Sequence, residues 1–272
     1  MNCARMMVMA FVCVYVASSV LAAKEPVWLE VKPLRNLGDR FRGQTVLADI
    51  ECRMPAGHQY AFPSMPMTWA HETTHGLNSN LRMAEYRKRK GVKVNAFYCL
   101  DGKAVVVLEP KGNLRAVAKS LPASLRGPSF SLYLGKQLQW WADTPTYLLD
   151  EWIAYTNGSL CGEEVKEDGW HYELLQAINF CVYSLEMAKQ IHISDPGYDH
   201  EQLRALLRWN TGRVMMIYDR LKASNPQSKY VVQMDQYLST LRSAPEAKTL
   251  RDFGRTYFGV EVFHELYRFE TE

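Results

Sequence analysis

The chain has 272 residues, 47% of them apolar, and a formal charge of +3 at neutral pH. That length supports one domain with a substantial core, or two small ones. A balance so close to neutral speaks against a nucleic-acid binder, which would carry a broad basic face.

Met1 to Ala23 carries one charge, Arg5, then an apolar run from Met6 to Val16, then small residues. This is the form of a secretory signal peptide, with cleavage expected near Ala22 or Ala23. Retention as a membrane anchor is the alternative, because the apolar run approaches a spanning length. No later segment is long enough to span, so no membrane association is expected after cleavage. The expected location is secreted or periplasmic. Removing 23 of 272 residues leaves 249, read as one domain over 24–272, sheet-rich over 24–135 and helical over 136–272. The Arg87–Lys90 cluster reads as a solvated helix end rather than a binding patch.

Six cysteines become four after cleavage: Cys52, Cys99, Cys161 and Cys181. An even number in an oxidising compartment permits two disulfides, with Cys52–Cys99 and Cys161–Cys181 favoured. Four buried thiols are the alternative.

Val27–Val31 and Thr45–Ile50 have strand composition. Pro55, Gly57 and Pro63 break up the next segment, and His58 reads as a surface histidine in that loop. Trp69-Ala70-His71-Glu72-Thr73-Thr74-His75-Gly76 then carries the pattern H-E-x-x-H. On a helix, residues four apart leave from one face, so both imidazoles can reach one metal ion. Glu72 is the residue type that takes a proton from a metal-activated water. Ser64 or Thr68 could cap this helix, Pro66 suits its first turn, and Gly91 suits its end. Asn78, one turn beyond His75, is a candidate partner for a ligand.

Asp101-Gly102 between two apolar runs predicts a hairpin over 95–108. Asn113–Ser120 reads as a short helix and Ser129–Leu134 as a strand. Asp143 or Thr144 should cap a helix with Pro145 in its first turn and Asn157-Gly158 at its end. Glu151 sits in that helix among Leu148, Leu149, Trp152 and Ile153, where a carboxylate needs a partner. A metal held by two histidines is such a partner. Asn157-Gly158-Ser159 also reads as a glycosylation sequon. The remainder is helical: Trp170–Ile191, a helix opened by Asp199 and interrupted near Asn210-Thr211-Gly212, then Pro226–Leu241 and Pro245–Tyr257. The fold class expected is therefore α+β, a small sheet and hairpin followed by a largely helical half.

His71-Glu72-x-x-His75 followed by Glu151-Trp152-Ile153-Ala154 resembles the gluzincin type of zinc metallopeptidase, and is distantly similar to its anthrax lethal factor-like branch. The resemblance covers about residues 66–80 and 144–158. It implies a zincin-like fold, one zinc ion (Zn2+) per chain and a peptide or protein substrate. It makes His71, His75 and Glu151 the metal ligands and Glu72 the general base. It places a substrate-pairing edge strand ahead of the metal helix, sought at Thr45–Met54. Tyr147, Tyr155 and His171 are the candidates for steadying the oxyanion, in that order. The function expected is an exported zinc metallopeptidase. The alternatives are a zinc hydrolase of a non-protein amide or ester, and a non-catalytic secreted binding protein that keeps the fold.

Overall fold

In the computed structural model, which describes residues 25–55 and 64–269, strand β1 (Trp28–Glu30) leads to helix α1 (Thr45–Glu51) and the long helix α2 (Pro66–Lys88). The hairpin follows as β2 (Val94–Tyr98) and β3 (Lys103–Leu108), then α3 (Leu114–Ser120). A single π-helical turn (Leu132–Lys136) and a short α4 (Leu138–Trp141) precede α5 (Tyr147–Val165). Helices α6 (Trp170–Ser194), α7 (Glu201–Ser224), α8 (Lys229–Ser243), α9 (Lys248–Phe258) and α10 (Val260–Leu266) complete the chain. The class is α+β, mostly helical, with one antiparallel sheet of order β1-β3-β2.

The hairpin forms where Asp-Gly predicts it. Leu100, Asp101 and Gly102 all take positive φ, and a Cβ at Gly102 would meet the Arg53 guanidinium at 2.9 Å. Pro66 opens α2, which ends at Lys88, and the chain turns away through Lys90 (φ +53) and Gly91 (φ +90). Ser64 and Thr68 do not cap it; instead the Met67 amide donates to Glu167 Oε2 at 2.7 Å.

Helices α5 and α6 are apolar around most of their circumference, so they lie inside. Leu148, Leu149, Trp152 and Ile153 on α5 and Leu174, Ile178, Phe180 and Val182 on α6 are all fully buried. The later helices pack around them in one core. A smaller core lies under α1, where Leu47 and Ile50 meet Trp69, Leu77 and Tyr98. No helix among the described residues is long and apolar enough to cross a membrane.

Several sequence expectations are corrected. Thr45–Ile50 is helical, not a strand, so no substrate-pairing strand lies at Thr45–Met54. Leu47 and Ile50 share one helical face, and Glu164 satisfies the free end: it accepts from the Thr45 amide at 2.8 Å, the Thr45 hydroxyl at 2.5 Å and the Val46 amide at 3.0 Å. Six residues with several β-formers read as a strand, but tertiary burial and this cap decide for helix. Ser129–Leu134 is not a strand either; it runs into the π-helical turn. Helix α5 starts at Tyr147 and passes through Asn157-Gly158 to end at Lys166, φ +55. Asn157 is fully buried, with its amide donating to the Tyr98 carbonyl at 3.0 Å, which removes the sequon reading. Helix α7 is continuous through Asn210-Thr211-Gly212; Asn210 donates inward to Thr156 Oγ1 at 3.1 Å.

Neither expected disulfide forms. All four cysteines are free thiols, three of them buried. Burial pushes the Cys99 and Cys161 thiols up to about 12, so they act as small apolar side chains. The signal segment and His58 lie outside the described residues.

Replacing Glu164 with Ala strips three donors of their acceptor at the start of α1. Urea denaturation should record a loss of about 1–2 kcal/mol.

Candidate metal centre

His71 and His75 leave one face of α2 and meet Glu151 from α5. Their ring nitrogens face each other, Nε2 to Nε2, at 3.2 Å. Glu151 Oε2 lies 3.5 Å from His75 Nε2 and 3.9 Å from His71 Nε2. One donor atom from each residue falls within 4.8 Å of the others, a spacing that can surround one ion. His71 and Glu151 are buried and His75 is half-buried. Unpaired polar groups so placed are costly, and a shared cation would resolve them.

The opposite ring nitrogens are taken. His71 Nδ1 lies 2.6 Å from Glu173 Oε1, on α6. His75 Nδ1 lies 2.8 Å from Asp150 Oδ2, and Asn78 donates to Asp150 Oδ1 at 2.7 Å. A carboxylate on Nδ1 fixes the tautomer that turns the Nε2 lone pair inward, as metal-binding histidines require. Asp150 and Glu173 are site residues that sequence reading missed. Asp150 adjoins Glu151, which was a usable signal. Glu173 had none, because a third helix supplies it across 102 positions.

That third helix reaches the site through Gly158. A Cβ there would meet Glu173 Oε1 at 2.7 Å and His71 Cβ at 3.3 Å. The glycine read as a helix stop is instead a point of close approach.

The tyrosines divide. Tyr147 donates to Glu151 Oε1 at 2.5 Å, contacts Gln137 Oε1, and stacks on Trp141 at 4.6 Å. It holds the Glu151 carboxylate. The Tyr155 ring sits edge-on to His71 at 4.5 Å, and its hydroxyl bonds that of Tyr133 at 2.6 Å. Tyr133, carried on the π-helical turn, is a further residue missed by sequence. Burial raises the hydroxyl pKa of all three, and for Tyr133 and Tyr147 the nearby Glu151 charge adds to it, so they remain protonated donors. His171 is not in this group; it packs between Trp170 and Tyr230. Glu72 follows His71 on α2 and is half-buried.

Burial disfavours charge on both His75 and Glu151, but their neighbours override it. Asp150 and Glu151 hold His75 well above 6.5, while His75 and the Tyr147 hydrogen bond hold Glu151 below 4.5. A metal must therefore displace a proton from His75.

Comparison with protein-family models, curated proteins and solved structures finds no match to this chain.

Two outcomes are expected. In metal-free protein, the raised His75 pKa stabilises fully below 6.5 and is lost as pH rises through the folded value. The lowered Glu151 pKa stabilises above 4.5 and is lost as pH falls through its folded value. Thermal unfolding should thus show a plateau between those limits, and His75→Ala should flatten both flanks. Separately, Glu173→Gln should weaken zinc binding by about 10–100-fold in chelator competition. Gly158→Ala should act in the same direction, with a destabilisation of about 1–3 kcal/mol.

Proposed function

We propose that this chain is a zinc metallohydrolase of the gluzincin type, with a zincin-like fold, acting on peptide bonds. The observation that carries this reading is the convergence of His71 Nε2, His75 Nε2 and a Glu151 carboxylate oxygen, with each imidazole backed by a carboxylate. Two neutral imidazoles and one carboxylate are a donor set that suits zinc and leaves a coordination position open. The N-terminal segment supports export.

The metal, when bound, supplies Lewis acidity that polarises a carbonyl and eases ionisation of a water. Glu72 accepts the proton that the attacking water gives up and returns it to the leaving nitrogen. Glu151, held by Tyr147, and His71 and His75, held by Glu173 and Asp150, keep their donor atoms aimed at one point. Tyr147 is committed to Glu151, so the oxyanion role falls to Tyr155 and Tyr133. Their two hydroxyls share one hydrogen bond, which leaves one O–H proton to donate.

Elemental analysis of the mature chain should give one zinc, lost or sharply weakened in His71→Ala and Glu151→Ala. Glu72→Gln should retain zinc and lose at least about 100-fold in kcat on any cleaved peptide. A wild type that takes up no zinc on reconstitution, or a fully active Glu72→Gln, would remove the reading. Tyr155→Phe should lower kcat by about 10–100-fold with zinc content unchanged.

A further inference from the structure

Along the face of α2 that carries His71 and His75, the next residues are Asn78 and Arg82. Seven residues separate His75 from Arg82, so Arg82 stands about 10 Å further along the helix axis. Both line a cavity of ≈ 90 Å³ between α2, β2 and the start of α5, walled also by Asn95, Ala96, Trp141 and Asp150.

Among the described residues, Arg82 is the only arginine or lysine on that wall. Its hydrogen bonds there are long and go to neutral groups, Asn95 Oδ1 at 3.5 Å and Ser79 Oγ at 3.3 Å. No described carboxylate bonds it. By contrast Arg35 pairs with Glu51, Arg53 with Asp49 and Arg89 with Glu85. Asn95 is held so that its oxygen faces the guanidinium, because its Nδ2 is engaged by Glu109 and Thr146. The lining carboxylate, Asp150, is turned to His75 and Asn78 and leaves the fork of Arg82 open.

The wall of β2 adds a main-chain component. Tyr98 turns its amide and carbonyl away from β3, where Asn78 and Asn157 take them at 2.6 and 3.0 Å. Strand alternation turns those of Ala96 the same way, towards the cavity.

We propose that this cavity is a subsite for a carboxylate on the substrate, recognised by the guanidinium fork of Arg82. A planar, permanently charged fork with unused donors is matched by a carboxylate, which it can bind through two parallel hydrogen bonds. The inference rests on the hydrolase reading for its place in the reaction. An extended chain advances about 3.3 Å per residue, so the recognised acid lies within about three residues of the scissile bond. A free C-terminus and an acidic side chain offer the same chemistry.

Three probes separate the sources: N-acetylglutamate α-amide (acid on the side chain), N-acetylglutamine (acid at the terminus) and N-acetylglutamine α-amide (neutral). They are titrated calorimetrically into the zinc-loaded mature chain, as wild type, Arg82→Gln and Arg82→Lys. In wild type one acid should bind at least about tenfold more tightly than the neutral probe. Arg82→Gln should erase the difference, and Arg82→Lys, with charge but no fork, should keep part of it. Zinc content and melting temperature are read on the same samples. No acid preference in wild type overturns the subsite. So does a preference retained in Arg82→Gln, which would put the carboxylate on the metal or elsewhere. Failure of the peptidase reading is distinct: a zinc-loaded chain that cleaves no peptide, whatever these probes do.

Discussion

Three carboxylates and two imidazoles share a largely dry volume where α2, α5 and α6 cross, and this crowding of charge constrains the rest of the molecule. Each group is tolerable only because another is within hydrogen-bond reach. His71 depends on Glu173, His75 on Asp150, and Glu151 on Tyr147. Removing one partner strands another, so polar contacts add to the apolar faces in fixing the register of the three helices. Gly158 is the steric condition for this. With a side chain at that position, Glu173 could not stand between α5 and His71.

The same crossing organises the sheet. Asn78, which steadies Asp150 with its amide, accepts from the Tyr98 amide with its oxygen. Asn157, one residue before Gly158, takes the Tyr98 carbonyl. One stretch of the β2 edge is thus closed by two side chains of α2 and α5, the helices that carry His71, His75 and Glu151. An unsatisfied strand edge beside buried charge would be doubly unfavourable. Two asparagines remove both problems and couple the small sheet to the site.

Much of this was legible in the chain, and what was not has physical causes. The H-E-x-x-H helix, Glu151 stranded among apolar neighbours, and the Asp101-Gly102 hairpin are local patterns, and local patterns survive folding. Thr45–Ile50 misled because a seven-residue helix cannot stand on propensity; Glu164, more than a hundred residues away, completes it. Asn157-Gly158 misled because a helix stop and a close helix crossing call for the same small residue. Glu173 and Tyr133 were invisible because nothing in their own neighbourhoods announces a role. The four cysteines misled through compartment logic: evenness permits disulfides, but all four are free thiols and the three buried ones, Cys99, Cys161 and Cys181, serve as packing residues.

The charge distribution along α2 gives the site a direction. Around His71 and His75, Glu151, Asp150 and Glu173 gather three carboxylates, which two positive charges from a bound cation would offset only in part. Further along the same face stands Arg82, whose hydrogen bonds go to neutral groups, whereas Lys88 and Arg89 at the helix end are paired with Glu85. The local charge therefore changes sign between the His71–His75–Glu151 cluster and Arg82. An anion entering the cavity would be repelled at one end and drawn at the other. Asp150 sits at the turning point of that gradient. Its bond to His75 keeps its charge directed at that imidazole, which is what allows a cation and an anion to face one small cavity without cancelling each other.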